Sequence, residues 1–282
     1  MKPLNTFLLI APAALLMLGV FLVPFLLLAV LSLWTLKPGT LSLDTSLTLA
    51  NYARLFGDTY YLGRLWTTLW MSAVTTLACL ILGLPLAQWI VRRAGRARGL
   101  LIGLVNIPMV CGALLPTLGL VNLLGPLGVV NGALKSFGLI TSSLPLLGRP
   151  IGVIVGLVQA FLPLMVLPLI TSVERIPLDY EQAAMSLGAR RVTVWRRVLL
   201  PLMLPGIAAG GLLVFCASLT AFVTPQILGQ GKVVTFASLA FQQASRVLDW
   251  PFASALAMVM LALLLVVAGL GAAVARFARR QA

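Results

Sequence analysis

The sequence predicts an all-α integral membrane protein with six transmembrane helices, and three observations lead there. The first is composition. Of 282 residues, 61% are hydrophobic and only 9% charged, more apolar surface than a soluble fold can hide and what several membrane spans use directly. The second is recurrence. Apolar stretches of roughly 20 residues, the length that crosses the hydrocarbon core, appear near 8–33, 66–91, 100–123, 151–172, 202–224 and 252–275. The third is where the positive charges stand. A net charge of +14 invites a nucleic-acid reading, but the arginines sit at the ends of spans, so no nucleic-acid partner is expected. Lys2, Arg92, Arg93, Arg96, Arg98, Arg175, Arg190, Arg191, Arg196, Arg197, Arg276, Arg279 and Arg280 fall on one side. Lys37, Arg54, Arg64, Lys135, Arg149, Lys232 and Arg246 fall on the other. The larger set occupies the shorter loops, so the positive-inside rule puts both termini and the 173–200 loop in the cytoplasm.

Taken in order, the first apolar run is far longer than the 7–15 residues of a signal-peptide core and no small-x-small cleavage site follows it, so it reads as an uncleaved span. The segment 34–65 holds Pro38-Gly39, Asp44, Asn51-Tyr52 and Asp58, room for short interfacial helices. Trp34, Trp66 and Trp70 suit the interface belt. The second span carries Thr67, Thr68, Thr75 and Thr76, then Gly83 and Pro85. Mid-span Gly and Pro are tolerated where neighbouring helices satisfy the backbone, and small or hydroxylated residues are packing positions. Arg92 to Arg98 form a tight turn. From Asn106 to Arg149 the chain is rich in Gly and Pro, which predicts a broken, partly re-entrant helix. Gln159 is a lone amide in the fourth span. Ser218, Thr220, Thr224 and Gln226 bring hydroxyl and amide groups to the outer end of the fifth. These five side chains either line a pathway or bond to neighbouring helices.

One polar island stands between the fourth and fifth spans. Pro177 suits a first helical position, and Asp179 and Glu181 place negative charge where the helix dipole favours it. Ile176, Tyr180, Ala183, Ala184 and Leu187 fall on one helical face. Gly188 suits the left-handed residue that ends the helix. A basic helical run with Arg190, Arg191, Arg196 and Arg197 follows and stops at Pro201 and Pro205.

This island resembles the cytoplasmic "EAA" loop of permease subunits in binding-protein-dependent ABC importers. That pattern is Glu-Ala-Ala, three residues, Gly, nine residues, then Ile-x-Leu-Pro. Ala183-Ala184, Gly188, Val198 and Leu200-Pro201 match the spacing, while Gln182 stands in the glutamate place and Glu181 lies one residue earlier. The resemblance implies a type I ABC importer permease fold. It also implies that Tyr180, Glu181, Gln182, Ala183, Ala184, Leu187, Gly188 and Arg190 dock a separate ATPase. Tyr180, Ala183, Ala184 and Leu187 would form the face, with Glu181 and Arg190 at its rim. Residues 67–87 resemble the start of the family core. Three further stretches resemble the spermidine/putrescine branch: 125–139 (Gly128, Asn131, Gly138), 218–229, and Asp249-Trp250-Pro251. The run 111–116 lacks the charge and aromatics those relatives carry. The implied organisation is a span and external segment at 1–50, a permease core at 51–275 containing the loop 173–200, and a basic tail at 276–282.

Several classes are disfavoured. Histidine is absent, and Cys79, Cys111 and Cys216 lack metal spacing. There is no intramembrane carboxylate pair for hydrolysis, and no titratable group in mid-span for proton coupling. Gly231-Lys232 is followed by Val233, so the Walker pattern is missing. No catalytic residue, metal or cofactor is expected, and ATP would be bound and hydrolysed by a partner. The expected role is the transmembrane subunit of an inner-membrane importer, working by alternating access, with a polyamine or a related amine or amino-acid-like compound as first choice of solute. Its expected partners are ATPase subunits, a second and different permease chain, a periplasmic solute-binding protein and membrane lipid. The competing classes are an ATP-independent secondary transporter or channel, and a structural subunit without a path.

Overall fold

The computed structural model describes residues 3–37 and 42–281. Lys2 and the Pro38-Gly39 turn lie outside them. The helices expected from the apolar runs form, and the chain divides into two compact units.

The first unit comprises Met1–Gly63 and Leu239–Ala262. Helix α1 (Pro3–Ser32) is followed by a two-residue antiparallel pair, β1 (Thr35–Leu36) and β2 (Leu43–Asp44), and by α2 (Ala50–Gly57). The last carbonyls of a helix need donors, and Asn51 of α2 supplies them. Its buried Nδ2 donates to Ser32 O at 2.9 Å and Trp34 O at 2.7 Å. Arg54 lies over the Phe252 ring, 4.1 Å from its centroid, pairs with Asp249 at 3.1 Å and donates to Tyr61 Oη at 3.2 Å. Asp249 in turn accepts the backbone N–H of Phe252 at 3.1 Å, capping α14 (Trp250–Gln281) at its start. The Asp-Trp-Pro element is thus a helix start, with Pro251 in the first turn where its missing N–H does no harm.

The second unit comprises Arg64–Ser238 and Leu263–Ala282. Most of α3 (Thr59–Arg93) belongs to it, followed by a 3-10 turn (Gly95–Ala97), α4 (Arg98–Val110) and α5 (Leu114–Leu124). After α6 (Val129–Ser136) come α7 (Pro150–Glu174), α8 (Leu178–Ser186) and α9 (Arg191–Val194). A π-helical turn (Trp195–Leu199), α10 (Leu200–Leu202), α11 (Leu204–Thr220), α12 (Val223–Leu228) and the start of α13 (Phe236–Gln242) complete it. Buried Asn131 holds the broken region together: it donates to Gly125 O at 2.9 Å and accepts Leu144 N–H at 2.8 Å.

The expected spans are revised in three places. The third is interrupted at 111–113 and divides into α4 and α5. The fifth ends at Thr220, so Thr224 sits in the separate helix α12. The basic run does not stop at Pro201. It passes through the π turn and bends by 68° into α11, because Pro201 and Pro205 each leave a carbonyl one turn earlier without its N–H partner. Beyond α1, four stretches among the described residues can cross a membrane by length and composition, or five if the bent pair is one span. They are Thr59–Arg93, Leu114–Ser136 (which includes the turn at 125–128), Pro150–Glu174 and Trp250–Gly271.

The core of the second unit is α7 packed on α3 and α11. Cys79, Ala87 and Ile90 of α3 meet Met165, Val166, Leu169 and Val173 of α7, with Met203 and Val214 from the bent pair. Lipid tails are as apolar as leucine, so close backbone approach, more than apolar burial, holds such helices together. Glycine permits it on α11. A Cβ at Gly210 would stand 2.8 Å from Met165 Sδ and 3.1 Å from its carbonyl oxygen.

We predict that Gly210→Leu lowers stability by about 1–3 kcal/mol through overpacking, seen as a lower melting temperature of the detergent-solubilised protein. Gly269→Ala, where a Cβ meets nothing within 4 Å, should leave it unchanged or slightly raised. Equal melting of both variants would contradict this packing account.

Candidate functional site

Pro177 is the N-cap of α8, with extended ψ, and Leu178 is the first helical residue, one place later than the sequence suggests. The far end is built as expected. Gly188 has φ +83°. Its N–H donates to Met185 O at 2.9 Å, and Ala189 N–H to Ala184 O at 3.1 Å. That pair of bonds is the Schellman arrangement, which satisfies the last carbonyls and needs a left-handed residue at this position.

Helix α8 buries none of its residues fully; side-chain ties to α3 position it. Arg92, near the end of α3, places Nη2 2.9 Å from Glu181 Oε1 and donates from the same nitrogen to Ile176 O at 2.8 Å. The first contact is an ion pair rather than an aligned hydrogen bond. The side chains are only 16% and 19% exposed. One turn earlier on α3, Gln88 Oε1 accepts the Trp195 indole N–H at 2.8 Å. Arg98 and Glu174 form a further ion pair between the start of α4 and the end of α7.

These ties set how α8 is turned. Only Glu181 and Ala184 are half-buried. At about 100° per residue the side of α8 opposite them carries Asp179, Gln182, Ala183 and Ser186, all exposed. The face expected from sequence is therefore rotated: Ala184 turns toward the bundle, and Glu181 is engaged with Arg92 instead of standing at the rim. Tyr180 is 55% and Leu187 89% exposed, and Arg190, the N-cap of α9, is exposed as well. Ile176 is buried in the core.

The five pathway candidates separate into two groups. Thr220 Oγ1 returns to its own helix, at Cys216 O and Ala217 O. Buried Thr224 bonds Thr117 Oγ1 at 3.2 Å. Gln226, in α12, is half-buried. Gln159 Oε1 and Ser218 Oγ, by contrast, are buried atoms with no hydrogen-bond partner within the chain, and so are Ser72 Oγ and Thr75 Oγ1 of α3. Cys79 Sγ lies 3.8 Å from Val158 O and Gly83 faces Met165, so α3 and α7 run parallel, and Thr75 stands about one turn of α7 before Val158. The close approaches of Gly206 to Ser172 and of Gly210 to Met165 make α7 and α11 antiparallel. Continuing that register brings Ser218 to about the level of 157–158. Ser72 was not singled out from sequence, and Thr75 only as packing. Their hydroxyl side chains in an apolar span were the available signal. A buried polar group without a partner is costly, so these neutral oxygens can accept a bond from a polar group that reaches them.

Residues 80–280 match the model of the family described as binding-protein-dependent transport system inner membrane component. The chain is 34% identical over 249 residues to the spermidine/putrescine transport system permease protein PotB of Haemophilus influenzae, covering 87% of this chain and 86% of that one. It is 35% identical over 208 residues to PotB of Escherichia coli strain K12, covering 74% and 75%. The crystal structure of a bacterial ABC transporter involved in the import of the acidic polysaccharide alginate superposes with a TM-score of 0.78 at 16% identity, covering 98% of this chain and 96% of that one.

Arg92→Gln leaves Glu181 unpaired in a partly desolvated place. The amides of 178–186 should then exchange with solvent about tenfold faster, the equivalent of about 1–2 kcal/mol for a pair between the surface and buried limits. Hydrogen-exchange mass spectrometry checks this, and unchanged exchange would mean that the pair does not hold α8.

Proposed function

The chain belongs to the family of inner-membrane components of binding-protein-dependent transport systems, and on that premise we propose that it carries a polyamine through an ABC importer whose ATPase docks on α8. As such a component it is a multi-pass transporter subunit of the inner membrane. The observation that carries the docking proposal is the construction of α8: a short helix with no fully buried residue, fixed by Arg92 from within and by the Gly188 turn at its end. Asp179, Gln182, Ala183 and Ser186, with Tyr180, Leu187 and Arg190 beside them, form the contact surface in this reading. Both termini are then cytoplasmic, since α8 faces the ATPase. ATP binds only the partner, a loaded periplasmic protein delivers the solute, and a second, different permease completes the path.

Alternating access needs ATP to bind one conformation of the assembly more tightly than the other. The movement enters at α8 and reaches α3 through Arg92 and Gln88. The solute assignment follows the relatives, and the acidic residues limit how this chain contributes to it. Six are present, and five hold local structure. Asp44 accepts Ser46 N–H at 3.1 Å, a bond that lowers its pKa. Asp58 accepts Tyr60 N–H at 2.8 Å, and Glu174, Glu181 and Asp249 pair with arginines. Asp179 is exposed on α8. This leaves neutral oxygens, those of Ser72, Thr75, Gln159 and Ser218, as the chain's own contacts to an amine.

The test is purification of the tagged chain from its native membrane, followed by uptake in vesicles. Wild type should bring an ATPase with it and take up spermidine or putrescine only with ATP. Gly188→Val places a β-branched residue in left-handed backbone at a cost of about 1–2 kcal/mol or more. It should insert normally yet lose the ATPase or hydrolyse ATP without uptake. Solute movement by the chain alone without ATP would overturn the reading.

A further inference from the structure

We propose that the cavity between the end of α3 and the helix pair α8–α9 seats a phosphate-bearing anion, which in the membrane is the headgroup of an acidic phospholipid. The cavity measures ≈ 440 Å³ and its polar wall is Gln88, Arg92, Arg93, Glu181 and Arg191, with Trp89 beside them. Three guanidinium groups face one carboxylate. Glu181 is already taken by Arg92, and among the described residues neither Arg93 nor Arg191 has an ion-pair partner, so the wall keeps about two uncompensated positive charges. Arg92 Nε is buried and has no hydrogen-bond partner, a donor left over after Nη2 has met Ile176 and Glu181. Guanidinium groups recognise phosphate through paired donors and remain charged at any physiological pH.

The setting favours a lipid as the source. Arg92 and Arg93 close an apolar span, at the depth where headgroups lie, and Pro85 and Leu199 supply an apolar floor. Trp89, 48% exposed, has the amphipathic ring that prefers this interface. Basic pockets between spans on the cytoplasmic side are suited to anionic headgroups. The cavity lies on the Glu181–Met185 side of α8, away from Gln182 and Ala183, so an ATPase and an anion can be held together. The ligand would touch the same Arg92 that positions α8, which makes the lipid a modulator of coupling. The site stands whatever solute is carried.

The experiment is native mass spectrometry of the full chain, with the partners that purify with it, after equilibration in mixed phosphatidylglycerol and phosphatidylcholine micelles. Wild type should retain phosphatidylglycerol over phosphatidylcholine. The double variant Arg93→Gln/Arg191→Gln should retain about tenfold less. Arg196→Gln/Arg197→Gln, which removes as much charge outside the cavity, should behave as wild type, and melting temperatures verify that both variants are folded. A parallel arm adds millimolar inorganic phosphate. Lipid that persists in its presence supports a headgroup site, while displacement supports a site for the free anion with the same phosphate chemistry. Retention that is equal in wild type and the Arg93/Arg191 variant, or no preference for phosphatidylglycerol, overturns the proposal.

Discussion

The position of α8 depends on one guanidinium. Helix α8 contributes no fully buried side chain, so packing alone does not orient it, and Arg92 does so by bridging the Glu181 carboxylate and the Ile176 carbonyl. At 16% and 19% exposure the pair lies between two limits. A surface pair contributes under about 1 kcal/mol, and a fully buried pair is balanced by its own desolvation. The carbonyl matters as much as the carboxylate, because it takes a second bond from the same nitrogen and fixes where the guanidinium sits. Gln88 and Arg92 are four apart on α3 and therefore share a face. One holds the π turn after α9 and the other holds α8, so the two loop helices are fastened to a single stripe of one span.

From that stripe the connection runs into the tightest packing of the second unit. The residues of α3 just before it, Ala87, Leu84 and Cys79, lie against α7, and α7 lies against α11 where glycine removes the side chain between the backbones. Closely packed interfaces of this kind are bistable more readily than they are soft. In the proposed importer a displacement at α8 would be passed along α3 as a shift of a packed element. The unpartnered oxygens of Ser72, Thr75, Gln159 and Ser218 stand farther along the same three helices, which places the loop and the polar belt at two stations of one mechanical unit.

What could be read from sequence follows from which forces are local. The spans were legible because hydrocarbon demands long apolar helices. The Gly188 turn was legible because a left-handed residue after a capped helix needs glycine. The rotation of α8 was not, since its helical face was read from apolar residues alone. Ile176, grouped with that face, belongs to the core before the helix begins, and the pull that turns Glu181 inward comes from a residue 89 positions earlier in the chain. The division at 111–113 was foreshadowed by Gly112 and the nearby prolines. The π turn at 195–199 was not, because the two prolines suggested a stop where a bend sufficed. Of the hydroxyls, Thr220 and Thr224 looked as suitable for a pathway as Ser218. Only the structure shows that their bonds are already made.

Charge sets the last constraint. Two like charges 4 Å apart repel by about 1 kcal/mol in water and about 4 kcal/mol at the effective dielectric near a protein surface. A cargo with several ammonium groups therefore meets resistance from a chain of formal charge +14 unless negative charge stands nearby. Five of the chain's six acidic groups are used in caps and ion pairs, and the sixth is exposed on α8. Neutral oxygens can replace the hydration of an amine, but they cannot offset its charge. In the proposed importer that compensation falls to the second membrane subunit and to the binding protein, while this chain supplies dipoles and the joint to the ATPase. On this account, selectivity between polyamines and neutral or anionic solutes is encoded mainly outside the chain, which is consistent with a +14 protein serving as half of a cation path.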